Sequence, residues 1–213
     1  MLALFSDSAT VERGELALGG VPASELAEQF ETPLVVYCEE TIRRQARALR
    51  TAAGSDGRVF YGTKAFANVA VLRILREEGI GADVASAGEL AFARAAGLSG
   101  GELVVHGNNK DAEFLREAAV ERAPVVLDSP DEADLAAAAG VEQALVRVTL
   151  GVDADTHEAV VTGHHGSKFG LPPHEAQELL AVALDRKLDM MFEVPETPFR
   201  STSGFQPSRF AKT

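Results

Sequence analysis

From residue 32 onward, short apolar runs alternate with stretches that have helical spacing, and this alternation constrains the fold more than any other feature. The runs are rich in Val, and most carry no polar residue before their last positions, which is typical of strands covered on both faces. A run and a helical stretch recur about every 20–25 residues, the pattern of a parallel α/β sheet that is either doubly wound or closed into a barrel. The predicted strands are Leu34–Cys38, Arg58–Thr63, Ala82–Ser86, Leu103–Gly107, Val125–Asp128 and Ala144–Thr149.

The stretches between the runs place apolar residues along one helical face. Gly79, Gly97 and Gly140 follow three of these stretches, at the position where glycine commonly ends a helix. Another stretch begins after Ser129, which can cap it together with Glu132 in a capping box. The predicted helices are Thr41–Ala52, Asn68–Glu78, Gly88–Ala96, Asp111–Val120, Asp131–Ala139 and Pro172–Lys187.

The charge balance restricts the partners of the chain. Its 20 Lys and Arg residues against 32 Asp and Glu residues give a formal net charge of −12, so we expect it to bind neither nucleic acid nor an anionic membrane surface. No apolar run approaches the roughly 20 residues of a membrane-spanning helix, and the first residues lack the basic region of a secretory signal. The only cysteine, Cys38, permits no internal disulfide and is expected to be a small buried apolar side chain. We therefore expect a cytoplasmic globular protein whose partners are small molecules.

Ionisable residues stand at or near the ends of five successive predicted strands. They are Lys64, Asp83, His106, Asp128 and Arg147. Parallel α/β folds build their functional sites at the carboxyl ends of the strands, where the loops to the helices begin. Charges of both signs in these positions predict a shared polar site at that edge of the sheet.

Lys64 is the most informative of these residues. Strand alternation puts it on one face with Phe60 and Gly62, and Gly62 leaves open space beside it. A partly desolvated amine near a carboxylate can act as a Schiff-base nucleophile. The alternative is a lysine that extends into solvent from the end of a strand. Chemistry alone leaves both interpretations open.

Several motifs resemble one enzyme family. The segment Tyr61–Asn68 resembles the lysine strand of the alanine-racemase-like, fold-type III enzymes that use pyridoxal phosphate, and Gly81–Leu90 resembles their next strand and helix. His106–Lys110 and Gly151–Glu158 resemble diaminopimelate decarboxylases in particular. Three further segments agree with the family in the same order along the chain: Thr32–Tyr37, Thr162–Gly163 and Ser167–Gly170.

The resemblance implies a (β/α)₈ barrel of the alanine-racemase type and a β-domain built from both chain ends. Residues 1–31 are then the segment that contributes to the β-domain, and residues 32–189 are a partial barrel that binds pyridoxal phosphate. Lys64 ends the first barrel strand, so Leu34–Cys38 precedes the barrel and five of its eight strands are present. The expected fold is therefore an incomplete barrel that lacks its last strands and the C-terminal β-domain.

The composition changes near Asp189. Residues 192–213 contain no Leu and no Ile but are rich in Phe and Pro, unlike the Ala, Leu, Val and Glu of the preceding chain. Where the family carries a histidine that stacks on the cofactor, the chain reads Met190–Pro195, with no histidine. We therefore expect residues 190–213 to be an aberrant or disordered tail, and the polypeptide to be inactive on its own.

The resemblance also implies roles for individual residues. Lys64 is the lysine that forms the Schiff base with pyridoxal phosphate, and Asp83 is the carboxylate beside it. Arg147 is a basic residue beneath the cofactor, and His106 and Asn108 lie on the loop that lines the site. The cofactor is pyridoxal 5′-phosphate, the substrate is a small amino acid, and the intact family member is a homodimer.

The long connection between residues 151 and 170 corresponds to the family's active-site loop, in which the resemblance singles out His157, Ser167 and Lys168. The same loop permits a rival interpretation as a metal site, because it combines carboxylate and imidazole ligands. A flexible loop is a poor metal cage, so we expect no metal. The candidate ligands are Asp153, Asp155, His157, His164 and His165.

The activity implied by the resemblance is decarboxylation of meso-2,6-diaminopimelate to L-lysine and CO₂, a step of lysine biosynthesis. Two alternatives stay open. The chain could belong to another decarboxylase of the same fold that acts on ornithine, lysine or arginine. It could also be a non-catalytic partner of an intact enzyme.

Overall fold

The computed structural model describes residues 5–6, 8–149 and 169–193, the last three by their backbone only. Within these residues the strands are β1 Thr10–Glu12, β2 Glu15–Leu18, β3 Val21–Pro22, β4 Phe60–Gly62, β5 Gly81–Val84, β6 Leu103–Val105, β7 Val125–Leu127, β8 Gln143–Arg147 and β9 Asp189–Glu193. The helices are α1 Ala23–Phe30, α2 Glu39–Ala53, α3 Val69–Glu77, α4 Ala87–Ala95, α5 Ala112–Val120, α6 Pro130–Ala139 and α7 Pro173–Asp185.

Strand order decides between the two architectures that the sequence pattern allowed. The main sheet has six strands in the order β4-β5-β6-β7-β8-β9, all parallel to their neighbours. A doubly wound sheet reverses its strand order at a switch point, whereas a barrel adds each new strand beside the last. The predicted barrel type is therefore confirmed. Within the described residues the sheet stays open, because β4 and β9 each pair with one neighbour only.

Alternating side chains give the sheet two different faces. The face under the helices is apolar and fully buried, with Ala82 and Val84 of β5 and Leu103 and Val105 of β6 all at 0% exposure. Helix residues such as Leu90 and Leu115 complete this core, and each fully buried Leu or Val contributes roughly 1.5–3 kcal/mol. The alternate positions turn to the opposite face. The polar residues of the strand ends lie there.

The N-terminal part forms a separate small sheet. Strands β1, β2 and β3 pair antiparallel in that order, and α1 follows directly. The Ser8 hydroxyl lies 2.8 Å from the Cys38 thiol and links this part to the start of α2. The assignment of residues 1–31 to a β-domain remains a prediction.

Leu34–Cys38 was predicted as a strand, and this prediction is wrong. The segment forms no strand, and the Val35 side chain is 77% exposed. Its apolar composition is that of a buried strand, but no described strand lies alongside to accept its hydrogen bonds. Tyr37 instead stacks on Phe66, with ring centroids 4.8 Å apart. A strand requires a partner, and local composition does not supply one.

The C-terminal end of the sheet extends further than expected. The sequence analysis ended the barrel at residue 189 and counted five strands, but β9 continues to Glu193 and pairs in register with β8 from Gln143↔Asp189 to Arg147↔Glu193. The main-chain hydrogen bonds with β8 explain why β9 continues beyond residue 189, where the composition changes. Residues 194–213 of the expected tail lie outside the described residues.

The predicted helices agree with the structure to within two residues at each end. Gly79, Gly97 and Gly140 all adopt positive φ (75°, 91° and 86°) just after the helices they were predicted to end. The prediction of a capping box at the start of α6 is wrong. Ser129 occupies the N-cap position without a side-chain capping hydrogen bond, and the Glu132 carboxylate turns inward to Lys110 and the main chain of Asp128.

Candidate active site

Lys64 lies immediately after the first strand of the main sheet. The strand ends at Gly62, and Thr63–Ala65 form one 3₁₀ turn in which the Lys64 side chain is exposed. Lys64 therefore does not share a strand face with Phe60, as was predicted, because strand alternation ends at Gly62. A Cβ at Gly62 would meet no atom within 4 Å, so the expected open space is present.

Thr63 attaches this turn to the end of β5 and to α4 through its buried side chain. Its side chain is buried, at 1% exposure, and its hydroxyl lies 2.7 Å from the main-chain oxygen of Asp83 and 2.5 Å from Oε2 of Glu89. The same Glu89 oxygen accepts the main-chain N–H of Ala85 at 2.8 Å. Glu89 thus joins the ends of β4 and β5. Glu89 was not among the predicted site residues, and its only signal in the sequence was its place in the Gly81–Leu90 motif.

Asp83 and His106 come together across the ends of β5 and β6. Asp83 pairs in register with Gly62 of β4 and Val104 of β6, which places it between the lysine turn and His106. His106 Nδ1 lies 3.4 Å from Asp83 Oδ1, and both side chains are about a quarter exposed, at 23% and 28%. The structure therefore unites Asp83 and His106 beside the strand that leads to Lys64. Asn108 lies two residues further along the loop and is exposed.

Asp128 and Arg147 lie at the carboxyl ends of the next two strands, β7 and β8. Arg147 Nη1 lies 3.9 Å from Asp128 Oδ1, and the Arg147 side chain is 16% exposed. The guanidinium also lies over the ring of Phe169, with 4.7 Å from Cζ to the ring centroid. Burial is the main factor that raises the pKa of the Asp128 carboxyl, opposed by the Gly170 N–H and by Arg147.

A buried ion pair supports the loop that carries His106 and Asn108. Lys110 Nζ lies 3.0 Å from Glu132 Oε2, with only 1% and 6% of the side chains exposed. The Lys110 ammonium also donates to the main-chain oxygen of Gly107. The sequence analysis assigned neither residue to the site: Lys110 was part of the His106–Lys110 motif, and Glu132 was assigned to a helix cap.

The remaining predicted site residues, His157, Ser167 and Lys168, lie outside the described residues, as do all five candidate metal ligands of that loop. Over the part of the chain that the structure describes, no three His, Cys, Asp or Glu side chains converge to hold a metal ion. No helix in the same part combines the length and the hydrophobicity needed to cross a membrane.

The chain is a parallel α/β-barrel protein with a lysine just beyond the first strand of its sheet. Comparison with known families shows which family of such proteins it belongs to. Residues 39–191 match the pyridoxal binding domain of the pyridoxal-dependent decarboxylases. The chain belongs to this family. The match includes Lys64 and every described residue of the site above.

Two similar proteins of known name are diaminopimelate decarboxylases. The chain is 49% identical to the enzyme of Actinosynnema pretiosum over 165 residues, which is 75% of this chain and 37% of the relative. It is 40% identical to the enzyme of Bacillus subtilis over 188 residues, 84% of this chain and 43% of the relative. The chain therefore spans less than half the length of these relatives.

Solved structures agree with these sequence relatives. The crystal structure of diaminopimelate decarboxylase from M. jannaschii matches with a TM-score of 0.75 and 31% identity, over 89% of this chain and 47% of that one. The same enzyme has been solved in complex with L-lysine. The fold is thus that of fold-type III decarboxylases, whose cofactor is pyridoxal phosphate.

The described residues are chemically compatible with this cofactor. Lys64 presents an exposed primary amine, the group that condenses with an aldehyde. Arg147 presents a guanidinium that suits a phosphate or phenolate oxygen. Asp83 and His106 provide an acceptor and an imidazole between these two cations.

Proposed function

We propose that the chain is the pyridoxal-phosphate-binding part of a diaminopimelate decarboxylase, which converts meso-2,6-diaminopimelate to L-lysine and CO₂. The observation that carries the proposal is the position of Lys64 directly after β4, with Asp83 and His106 on the next two strand ends. The names of the relatives support the substrate, and the L-lysine complex of the M. jannaschii enzyme supports a site that accepts the product.

Each residue has a distinct role in this proposal. Lys64 would hold the cofactor, because its primary amine is the group that condenses with an aldehyde. Asp83 lies on the adjacent strand and places a negative charge beside the lysine turn. His106 holds the Asp83 carboxylate from the other side and restricts its orientation. When bound, pyridoxal phosphate supplies an electron-withdrawing ring that stabilises the charge left as the carboxylate departs.

Thr63 and Glu89 keep the lysine turn in place. Their 2.5 Å contact ties the residue before Lys64 to the start of α4, and the Ala85 N–H completes the attachment. Arg147, at the end of β8, would hold an anionic oxygen of the cofactor with its guanidinium. Asn108 belongs to the same loop as His106 and contacts the substrate or the cofactor there.

Borohydride reduction tests the lysine assignment. The chain is incubated with pyridoxal phosphate, reduced, digested and analysed by mass spectrometry, with Lys187 as the comparison because its side chain is also exposed. We expect the phosphopyridoxyl group on Lys64, its loss in Lys64→Ala and its retention in Lys187→Ala. Equal labelling of Lys64 and Lys187, or no labelling at all, would overturn the proposal.

Competing amino acids test the substrate. Each amino acid is added to the loaded protein, and the shift of the cofactor absorbance is titrated. We expect meso-2,6-diaminopimelate to act at a lower concentration than L-ornithine, L-lysine or L-arginine. A stronger effect of one of the latter three would favour another decarboxylase of the same fold. Co-purification with a full-length decarboxylase, without any cofactor on Lys64, would favour a non-catalytic partner.

The remaining expectations from the resemblance are also proposals. The intact protein is a cytoplasmic homodimer that binds no nucleic acid. The net charge of −12 supports the last point. Light scattering of the purified intact protein tests whether it is a dimer. A nucleic-acid binding assay at low salt tests whether it binds nucleic acid.

A further inference from the structure

Asp128 lies directly after β7 and joins three parts of the sheet edge. Only 3% of its side chain is exposed. Its Oδ1 accepts the main-chain N–H of Gly170 at 2.6 Å and lies 3.9 Å from Nη1 of Arg147. Its own main-chain N–H donates to Oε2 of Glu132 at 2.8 Å. One residue thus connects the ends of β7 and β8, the start of α6 and the segment that precedes α7.

Among the described residues, Arg147 is the counterion of Asp128. Lys110 is the other cation near Asp128 in the part of the chain that the structure describes, but it forms its 3.0 Å ion pair with Glu132. A buried carboxylate without a compensating cation is strongly unfavourable. Asp128 Oδ2 is buried and accepts no hydrogen bond from any described residue, so the carboxylate depends on the Gly170 N–H and on the charge of Arg147.

The geometry around Gly170 restricts Arg147 as well. Gly170 has φ of 71°, and a Cβ there would lie 2.6 Å from Thr149 Oγ1 and 3.0 Å from Arg147 Cγ. Glycine therefore lets the main chain approach both Asp128 and the stem of Arg147. The Phe169 ring covers the guanidinium from another side. Arg147 is thus held between a carboxylate, an aromatic ring and the main chain.

We infer that Asp128 is a positioning residue that fixes the guanidinium of Arg147 in one orientation at the carboxyl edge of the sheet. The inference rests on the proposed function, because Arg147 enters it as a cofactor-binding residue. Asp128 need not touch the cofactor itself. It acts through Arg147, and its contribution disappears when Arg147 is replaced.

The test combines Asp128→Asn with Arg147→Gln in the full chain. Asparagine keeps an oxygen for the Gly170 N–H but removes the charge, and Asp131→Asn is the matched control because Asp131 is exposed on α6. The dissociation constant of pyridoxal phosphate is measured by absorbance titration, and visible circular dichroism reports the orientation of the bound cofactor. We expect Asp128→Asn to weaken binding roughly tenfold, the scale of one charge-assisted hydrogen bond, and to change the dichroic band.

Three results would support the inference together. Asp131→Asn leaves the affinity unchanged, Asp128→Asn has no further effect in the Arg147→Gln background, and Asp128→Glu, which keeps the charge but displaces the carboxylate, also weakens binding. Equal affinity for Asp128→Asn and Asp131→Asn would overturn the inference, as would independent effects of Asp128→Asn and Arg147→Gln. Asp128→Glu decides the question if Asp128→Asn does not fold.

A second measurement separates this inference from the proposed function. The unmodified chain, Asp128→Asn, Arg147→Gln and the double variant form a double-mutant cycle, and all four are unfolded thermally without cofactor. We expect the effects of the two substitutions on thermal stability to be coupled. Failure of borohydride to label Lys64 would overturn the proposed function. Absence of coupling in unfolding would overturn the contact between Asp128 and Arg147, whether or not Lys64 is labelled.

Discussion

The Nδ1 atom of His106 lies 3.4 Å from Oδ1 of Asp83, which places an imidazole and a carboxylate side by side at the ends of adjacent strands. His106 follows β6 and Asp83 is the third residue of β5, and the parallel register of the two strands brings the side chains together. The pair lies next to the turn that carries Lys64, since Asp83 is also in register with Gly62.

The first prediction concerns this pair. Asp83→Asn removes the negative charge beside the lysine turn and beside His106 while keeping the size of the side chain. We expect the affinity for pyridoxal phosphate to fall about tenfold, the effect of one charge-assisted contact, as measured by absorbance titration. Asp56→Asn, in the exposed turn that precedes the amino end of β4, is the control. An equal affinity in both variants would contradict the prediction.

The second prediction concerns the buried pair of Lys110 and Glu132. Lys110→Met leaves the Glu132 carboxylate buried without its cation, and breaking such a pair costs about 3–5 kcal/mol. Urea denaturation measures the loss in free energy of unfolding. Lys187→Met, at an exposed position, is expected to change it by less than about 0.5 kcal/mol. The double variant Lys110→Met with Glu132→Gln should be more stable than Lys110→Met alone, and a double variant that is less stable would contradict this.

The third prediction concerns the pH dependence of the contact between α2 and α3. Arg47 and Arg43 donate to the Glu78 carboxylate at 2.6–3.0 Å and lower its pKa from 4.5 to about 2. Because the pKa in the folded protein lies below that in the unfolded chain, the stabilisation is complete above pH 4.5 and is lost as the pH falls toward 2. Thermal unfolding across this range measures it.

Glu78→Gln should remove part of that acid sensitivity, since glutamine does not titrate. Glu25→Gln, on the exposed face of α1, is expected to leave the pH profile unchanged. If Glu78→Gln and the unmodified chain lose stability in parallel between pH 4.5 and 2, the ion pairs of Glu78 contribute nothing.

The fourth prediction concerns Cys38, which differs from the inert apolar side chain that the sequence suggested. The Ser8 hydroxyl, 2.8 Å from the thiol, is the main cause of a pKa lowered from 9.0 to about 7. The alkylation rate with iodoacetamide should therefore rise with a midpoint near pH 7. Ser8→Ala should move the midpoint toward 9.0, whereas Ser55→Ala, in an exposed turn, should not. A midpoint near 9.0 in the unmodified chain would contradict the prediction.

Local patterns in the sequence determined the six helices α2–α7 and five of the six parallel strands, but not α1. Helical and strand periodicities report which face of an element is apolar, and glycines such as Gly140 end helices through their own φ. The ionisable residues at the strand ends could be predicted because parallel α/β folds build their sites at the carboxyl ends of the strands. The motif around Lys64 then pointed to the cofactor.

The tertiary structure decided the contacts between elements that are distant in the sequence. Leu34–Cys38 has the composition of a strand but no described partner, and Glu132 has the position of a capping residue but compensates the buried Lys110. The approach of Asp128 to Arg147 and Gly170 depends on register and on the chain's return before α7. Hydrogen bonding and charge compensation across the sheet are long-range, so periodicity within one segment does not determine them.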